Sequence, residues 1–208
     1  APGGWLSYFH NVFNYNVYGI ELAQLAYSKT IENMTMLRIP ATIYNENLFS
    51  FNSGTYNIIF SAGFIEHFSD RLGVIKKIVT LASENDGLVV TLIPGLHGIN
   101  WWISKTFRYK LAASHFQVSK EDLILFHESA GLNTVLCRYI NSWQISPPLQ
   151  RTRFSKKFTT FSFIINLPFK VWNKIIQASF ETFNFFPQSK FVNNGVLYIG
   201  RRRKPIIS

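Results

Sequence analysis

A single cysteine, Cys137, in 208 residues excludes an internal disulfide and gives no sign of a metal cluster; a reducing, cytoplasmic compartment is the default for such a chain. No uncharged apolar run reaches the roughly eighteen residues that a membrane-spanning helix needs. No charged-then-apolar leader pattern precedes Trp5, so secretion is not the expectation. His and Cys show no zinc-ligand spacing along the chain, and no metal is expected from the sequence. Acidic residues are scarce in one place. Residues 151–208 hold eleven Lys or Arg against Glu181 alone, whereas residues 1–150 hold ten of each sign, so the whole net charge of +10 sits in the last quarter. A segment that basic offers a surface to something anionic, or serves as a solvated face.

What the chain has in quantity is apolar and aromatic side chains, 47% and 16% of its residues. That is enough to bury one sizeable core, so a single domain over 1–208 with decoration is expected. No internal repeats occur. Gly3 and Gly4 make a turn that opens an apolar-periodic helix, and a short strand at 17–20 ends on Glu21. Glycines with a carboxylate roughly 20 residues later are half of a nucleoside-binding unit, whose other part is a buried strand before the glycines: the glycines admit the ligand to the backbone, and the acid accepts from ribose hydroxyls.

Helix and strand then alternate. A helix is expected over 22–33, a strand over 39–44, a loop at 45–49 and a strand over 56–62. Apolar residues on both parities through Ile58-Ile59-Phe60 suit a central strand buried on both faces. The loop 63–68 carries Glu66 and His67. Asp70 caps a helix over 71–83, Asn85-Asp86-Gly87 turns, and a strand at 88–93 stops at Pro94-Gly95. Residues 96–118 read as less regular. Ser119 and Asp122 resemble an amino-terminal cap for a helix ending at Gly131, and strands follow at 134–140 and 195–200. Strands alternating with helices predict an α/β, Rossmann-like, mostly parallel sheet with helices on both faces and an antiparallel edge hairpin.

The segment 151–190 carries ten Phe or Trp and one acid. Phe169, Trp172, Ile176, Phe180 and Phe183 recur at helical spacing, which predicts an amphipathic helix started by Pro168. Its apolar face suits either a lid over the sheet or an anionic membrane surface, with residues 151–204 supplying the basic charge.

These residues resemble the class I S-adenosylmethionine-dependent methyltransferases, especially their small-molecule, ubiquinone-type O-methyltransferase branch. Ala1-Pro-Gly-Gly-Trp5 looks like the end of that family's glycine loop, and Gly19-Ile-Glu21 like its ribose-binding strand end. Asn45 to Phe49 looks like the adenine loop, and Phe60-Ser-Ala-Gly-Phe-Ile-Glu-His-Phe68 like the strand and loop beside the donor. The likeness covers about 1–140 and resumes at 195–201, leaving 142–190 as a helical insertion. The family's first strand, normally between the second and fourth, has no counterpart here, which leaves two strand edges unpaired. The adenine loop offers Glu46 and Asn47 where Asp is common.

The resemblance implies S-adenosylmethionine as donor, with Gly3, Gly4, Glu21, Glu46, Asn47, Leu48, Ser61 and Gly63 around it. It implies methyl transfer to a small, apolar or lipid-like acceptor, with His67 as general base, Glu66 orienting it or binding substrate, and His97, Trp101 and Trp102 beside the acceptor. Glu66 and His67 also suit a purely structural loop. His115 and His127 read as surface or packing residues. A non-catalytic member of the fold with a working basic tail is the alternative. The Asn/Asp-Pro-Pro-aromatic signature of DNA amino-methylation is missing, which argues against a nucleic-acid substrate. A nicotinamide oxidoreductase shares the glycine-and-acid pattern, but the Glu66-His67 loop favours methyl transfer.

Overall fold

The computed structural model describes residues 2–95, 97–147 and 156–203. Ala1 of the glycine-loop motif, Arg151 to Ser155 of the basic segment and Lys204 lie outside them. The chain divides into two compact units, residues 1–54 and 55–208.

In the first unit, helix α1 (Gly4–Phe13) leads to strand β1 (Val17–Ile20), helix α2 (Gln24–Met36) and strand β2 (Ala41–Tyr44). β1 and β2 pair in parallel, Val17 opposite Ala41 and Ile20 opposite Tyr44. The α2 crossover is what lets two parallel strands be neighbours. Val17, Met34 and Ile39 are the buried core, with Leu6, Phe9 and Ala41 packed on it. Gly3 precedes α1 at φ +79, and a Cβ there would meet Met34 Cε at 2.8 Å. This glycine therefore has a packing duty, the close approach of α1's start to α2, whatever it binds.

The second unit holds β3 (Ile58–Ala62), a 3-10 turn (Ile65–His67), α3 (Arg71–Thr80), β4 (Leu88–Pro94), α4 (Gly98–Phe107), α5 (Tyr109–Ala113), α6 (Lys120–Ser129), β5 (Leu132–Ile140), α7 (Lys156–Phe183) and β6 (Gly195–Arg202). The sheet runs β3-β4-β6-β5. β3 and β4 are parallel, and β6 is antiparallel to both β4 and β5, which is the expected antiparallel edge. Two local signals act as read. Asp70 accepts from the Gly73 amide at 2.9 Å, and Ser119 with Asp122 closes a reciprocal capping box at the start of α6.

Three expectations need correction. Residues 96–118 are not irregular but hold α4 and α5; the left-handed Gly98 and the break at Arg108 mask their periodicity. Pro168 does not start the amphipathic helix: it lies inside the 28-residue α7. A proline stops a helix only if its neighbours have no other support, and α7 is pinned further along. Asn173 accepts from the Ile145 amide at 2.8 Å and donates to the Ile145 carbonyl at 2.9 Å, and Trp172 Nε1 donates to the Trp143 carbonyl at 2.8 Å. Finally, β3 is not buried on both faces. Among the described residues it pairs only with β4 and β1 pairs only with β2, and Ile58 is exposed. β1 and β3 are thus each an edge strand of their own sheet. No helix among the described residues is long and apolar enough to cross a membrane.

Candidate functional site

In the first unit the end of β1 is braced by the loop after β2. The Glu21 amide donates to the Tyr44 carbonyl at 3.0 Å, and Asn45 Nδ2 donates to the Glu21 carbonyl at 2.7 Å. The Glu21 carboxylate accepts from the Ala23 amide at 2.9 Å, which uses one lone pair and leaves the second oxygen to other donors. Glu46 and Asn47 are exposed and Leu48 is half-buried. Asn47 Oδ1 already accepts from the Phe49 amide at 3.0 Å, an Asx turn that shapes the loop. Gly4 is the first residue of α1 and has open space where a Cβ would stand.

In the second unit the carboxyl end of β3 and the 3-10 turn position the rest. Ser61 is buried, and its hydroxyl has no hydrogen-bond partner. Gly63, at φ +63, turns the chain, and a Cβ there would come within 3.7 Å of Glu66 Oε1. The turn throws Glu66 inward, where it is fully buried, and leaves His67 exposed. The loop 114–116 locks onto it: the Phe116 amide donates to the Glu66 carbonyl at 2.8 Å, and His67 Nδ1 lies 2.8 Å from the Ser114 carbonyl. A carbonyl can only accept, so His67 holds its proton on Nδ1 and presents a lone pair on Nε2. The orienting partner is thus the Ser114 carbonyl, and the Glu66 carboxylate takes no part in that bond.

Neither Glu66 oxygen meets a donor in hydrogen-bonding geometry. Burial raises its pKa, and the nearby backbone amides of Glu66 and Phe64 and the imidazoles of His67 and His115 offset only part of that. His115 stands with its ring centroid 4.4 Å from that of His67. The sequence could not find this pairing, because no local pattern links positions 48 residues apart.

Between β4 and α4 lies a cavity of about 100 Å³, lined by Trp101, Ser104, Arg108, His115, Ser146 and Asn194 among others. Buried Asn100 builds its wall. It donates to the carbonyls of Gln144 at 2.9 Å and Asn193 at 2.5 Å, and accepts from the Ser146 amide at 2.8 Å. Burial lowers the pKa of Arg108, whose guanidinium donates to the Pro147 carbonyl. Trp101 is buried and Trp102 is 62% exposed: consecutive helical residues point about 100° apart, so α4 sends the two indoles to different surroundings. His97, just before α4, is half-buried, with Nε2 sealed from solvent. Cys137 is half-buried, and burial pushes its thiol up to about 11, so it stays protonated and inert at neutral pH.

No protein-family model matches the sequence, and no curated protein matches it. The fold does match solved structures. The cyclopropane synthase MmaA2 from Mycobacterium tuberculosis gives a TM-score of 0.62 at 11% identity, over 97% of this chain and 75% of that one. Geranyl diphosphate C-methyltransferase from Streptomyces coelicolor, in complex with geranyl diphosphate and S-adenosyl-L-homocysteine, gives 0.61 at 12%, over 97% and 69%. The [4+2]-cyclase SpnF gives 0.61 at 9%, over 98% and 73%. The chain has the class I S-adenosylmethionine-dependent methyltransferase fold. Since a cyclase shares it, the reaction has to be argued from the site.

Proposed function

We propose that this chain, acting as one domain over 1–208, transfers a methyl group from S-adenosylmethionine to a small, apolar or lipid-like acceptor. The observation that carries this reading is Glu21: a carboxylate at the carboxyl end of a parallel strand, braced by the Ala23 amide and by Asn45, where ribose hydroxyls are bound in doubly wound folds. Gly3, Gly4, Glu46, Asn47 and Leu48 of the same unit are assigned to the donor with Glu21. S-adenosylmethionine supplies an electrophilic methyl on a sulfonium; the carbon–sulfur bond breaks as the acceptor–carbon bond forms, and catalysis is mainly alignment. An acceptor that must lose a proton gives it to His67 Nε2, the nitrogen that the Ser114 carbonyl leaves with its lone pair. Trp101, with His97 assigned nearby, makes the acceptor side, and Trp102, turned to other surroundings, takes no part in it.

Calorimetric titration of S-adenosylhomocysteine into the chain, with NADH as control ligand, tests this. Micromolar binding that weakens at least about tenfold in Glu21→Ala is expected, since a hydrogen bond to a charged group contributes roughly 1.5–3 kcal/mol. Absence of binding, or a preference for NADH, overturns the reading.

One observation favours a second reading, a non-catalytic protein whose basic aromatic segment meets a peripheral membrane surface. α7 exposes Phe163, Ile164, Val171 and Ile175 alongside Lys170 and Lys174, the residue mix of interfacial helices. Sedimentation with phosphatidylglycerol vesicles, and not with phosphatidylcholine vesicles, is expected on this reading, and it should fall as salt rises. Equal recovery with neither lipid rejects it.

A further inference from the structure

The folded chain brings together what spacing along the sequence does not: one carboxylate and two imidazoles. One ligand atom from each of Glu66, His67 and His115 lies within 4.8 Å of the other two. The carboxylate is the unusual member. It is fully buried, and both oxygens are shut off from solvent without a hydrogen-bond partner. An ionised carboxylate in that state is costly, and it is relieved either by taking a proton or by a cation small enough to sit where a water cannot.

The surroundings suit the cation. His67 Nδ1 is committed to the Ser114 carbonyl, the outer bond that fixes ring orientation and tautomer in metal-bound histidines. His115 Nδ1 lies 3.1 Å from the hydroxyl of the same serine. One short segment thus steers both rings, while the Phe116 amide ties that segment to the Glu66 backbone. We propose that Glu66, His67 and His115 bind one divalent transition-metal ion of the zinc type.

Two imidazole nitrogens and one carboxylate oxygen are a borderline donor set. Mg2+ and Ca2+ prefer all-oxygen shells, whereas Zn2+, Co2+ and Ni2+ accept nitrogen readily. Bonds of roughly 2.0–2.2 Å put tetrahedral ligand atoms about 3.4 Å apart, so the three side chains close in by about an ångström through small rotamer shifts. Three protein ligands leave a fourth position open to water. The site goes beyond the methyl-transfer reading and does not rest on it. An occupied site takes the lone pair of His67, so ion binding and a base role for His67 exclude each other.

The test is titration of the metal-stripped full chain with Co2+, followed by its visible ligand-field bands, and with Zn2+ in a calorimeter, both without methyl donor. One ion per chain at micromolar affinity or tighter is expected, with tetrahedral-type Co2+ absorption and no competition from Mg2+. Glu66→Gln and His115→Ala should each weaken binding at least as much as losing an outer-shell partner does, roughly 10–100-fold. His10→Ala, a histidine in the other unit, should leave it unchanged. Far-UV circular dichroism checks that each variant is folded, and His67→Ala replaces any that is not. No ion bound, or binding that survives in the folded Glu66 and His115 variants, overturns the proposal. Because no donor is present, a failure here leaves the S-adenosylhomocysteine result standing, and the reverse also holds.

Discussion

Replacing Gly98 with alanine is expected to destabilise the second unit by about 3 kcal/mol, the sum of a left-handed backbone penalty and overpacking. Gly98 opens α4 at φ +69, and a Cβ there would run into the carbonyl group of Phe191. Phe191 has nowhere to go. Its carbonyl accepts from the Ile99 amide at 2.8 Å, the next carbonyl, of Val192, accepts from the Trp143 amide at 2.8 Å, and Asn193 is held by Asn100. Gly54 is the matched control. It has φ +80 but nothing within 4 Å of its would-be Cβ, so Gly54→Ala meets only the conformational term of about 1 kcal/mol. Urea denaturation of both variants separates the two contributions. Equal midpoints would show that the Phe191 backbone yields and that this contact does not hold α4.

His127 should make the protein sensitive to mild acid. It is fully buried, with Nδ1 2.7 Å from the Leu123 carbonyl and Nε2 2.8 Å from the Thr91 hydroxyl. Its ring stacks on Tyr198 with centroids 3.9 Å apart. Burial lowers its pKa to about 4, and the bond to Leu123 recovers only part of the loss. The folded value lies below the ordinary one near 6.5, so between those limits the unfolded chain takes up a proton that the native chain refuses. Stability is then fully present above about pH 6.5 and is lost as pH falls toward 4. At 1.36 kcal/mol per pKa unit the loss comes to about 3 kcal/mol by pH 4. His127→Gln keeps a buried polar group but not the titration, so its stability should fall by about 3 kcal/mol less than the parent's between pH 7 and pH 4. Parallel curves from urea melts across that range would remove His127 as the source.

Much of this fold was legible in the residues because the relevant physics is local. Asp70 three residues before Gly73, and Ser119 three before Asp122, announce caps whose partners lie within one helical turn. The strand at 88–93 could be placed because its apolar run is bounded by the Asn85-Asp86-Gly87 turn and Pro94-Gly95. The carboxylate at the end of β1 could be placed because strand, glycine turn and acid lie within twenty-one residues. Where a neighbour distant in sequence decides, the reading failed. β3 looked central because Ile58, Ile59 and Phe60 are apolar on both parities, but pairing rather than apolarity determines whether a strand is an edge. Pro168 looked like a helix start because that is its cheapest position, and only the tie of Trp172 and Asn173 to residues 143–145 shows what holds the helix just beyond it. His115 looked like a packing residue until the loop carrying it closed onto Glu66.

The sequence alone determined the order of helices and strands outside residues 96–118, the caps, the basic last quarter and the kinship of the fold. These depend on periodicity, on neighbours a few residues apart and on composition. Only the tertiary structure decided which strands are edges, that Glu66 is sealed without a hydrogen bond, that Ser114 orients His67, and that His115 joins them. Those facts arise from contacts closed across tens of residues, where chain spacing carries no information and burial sets the chemistry of each group.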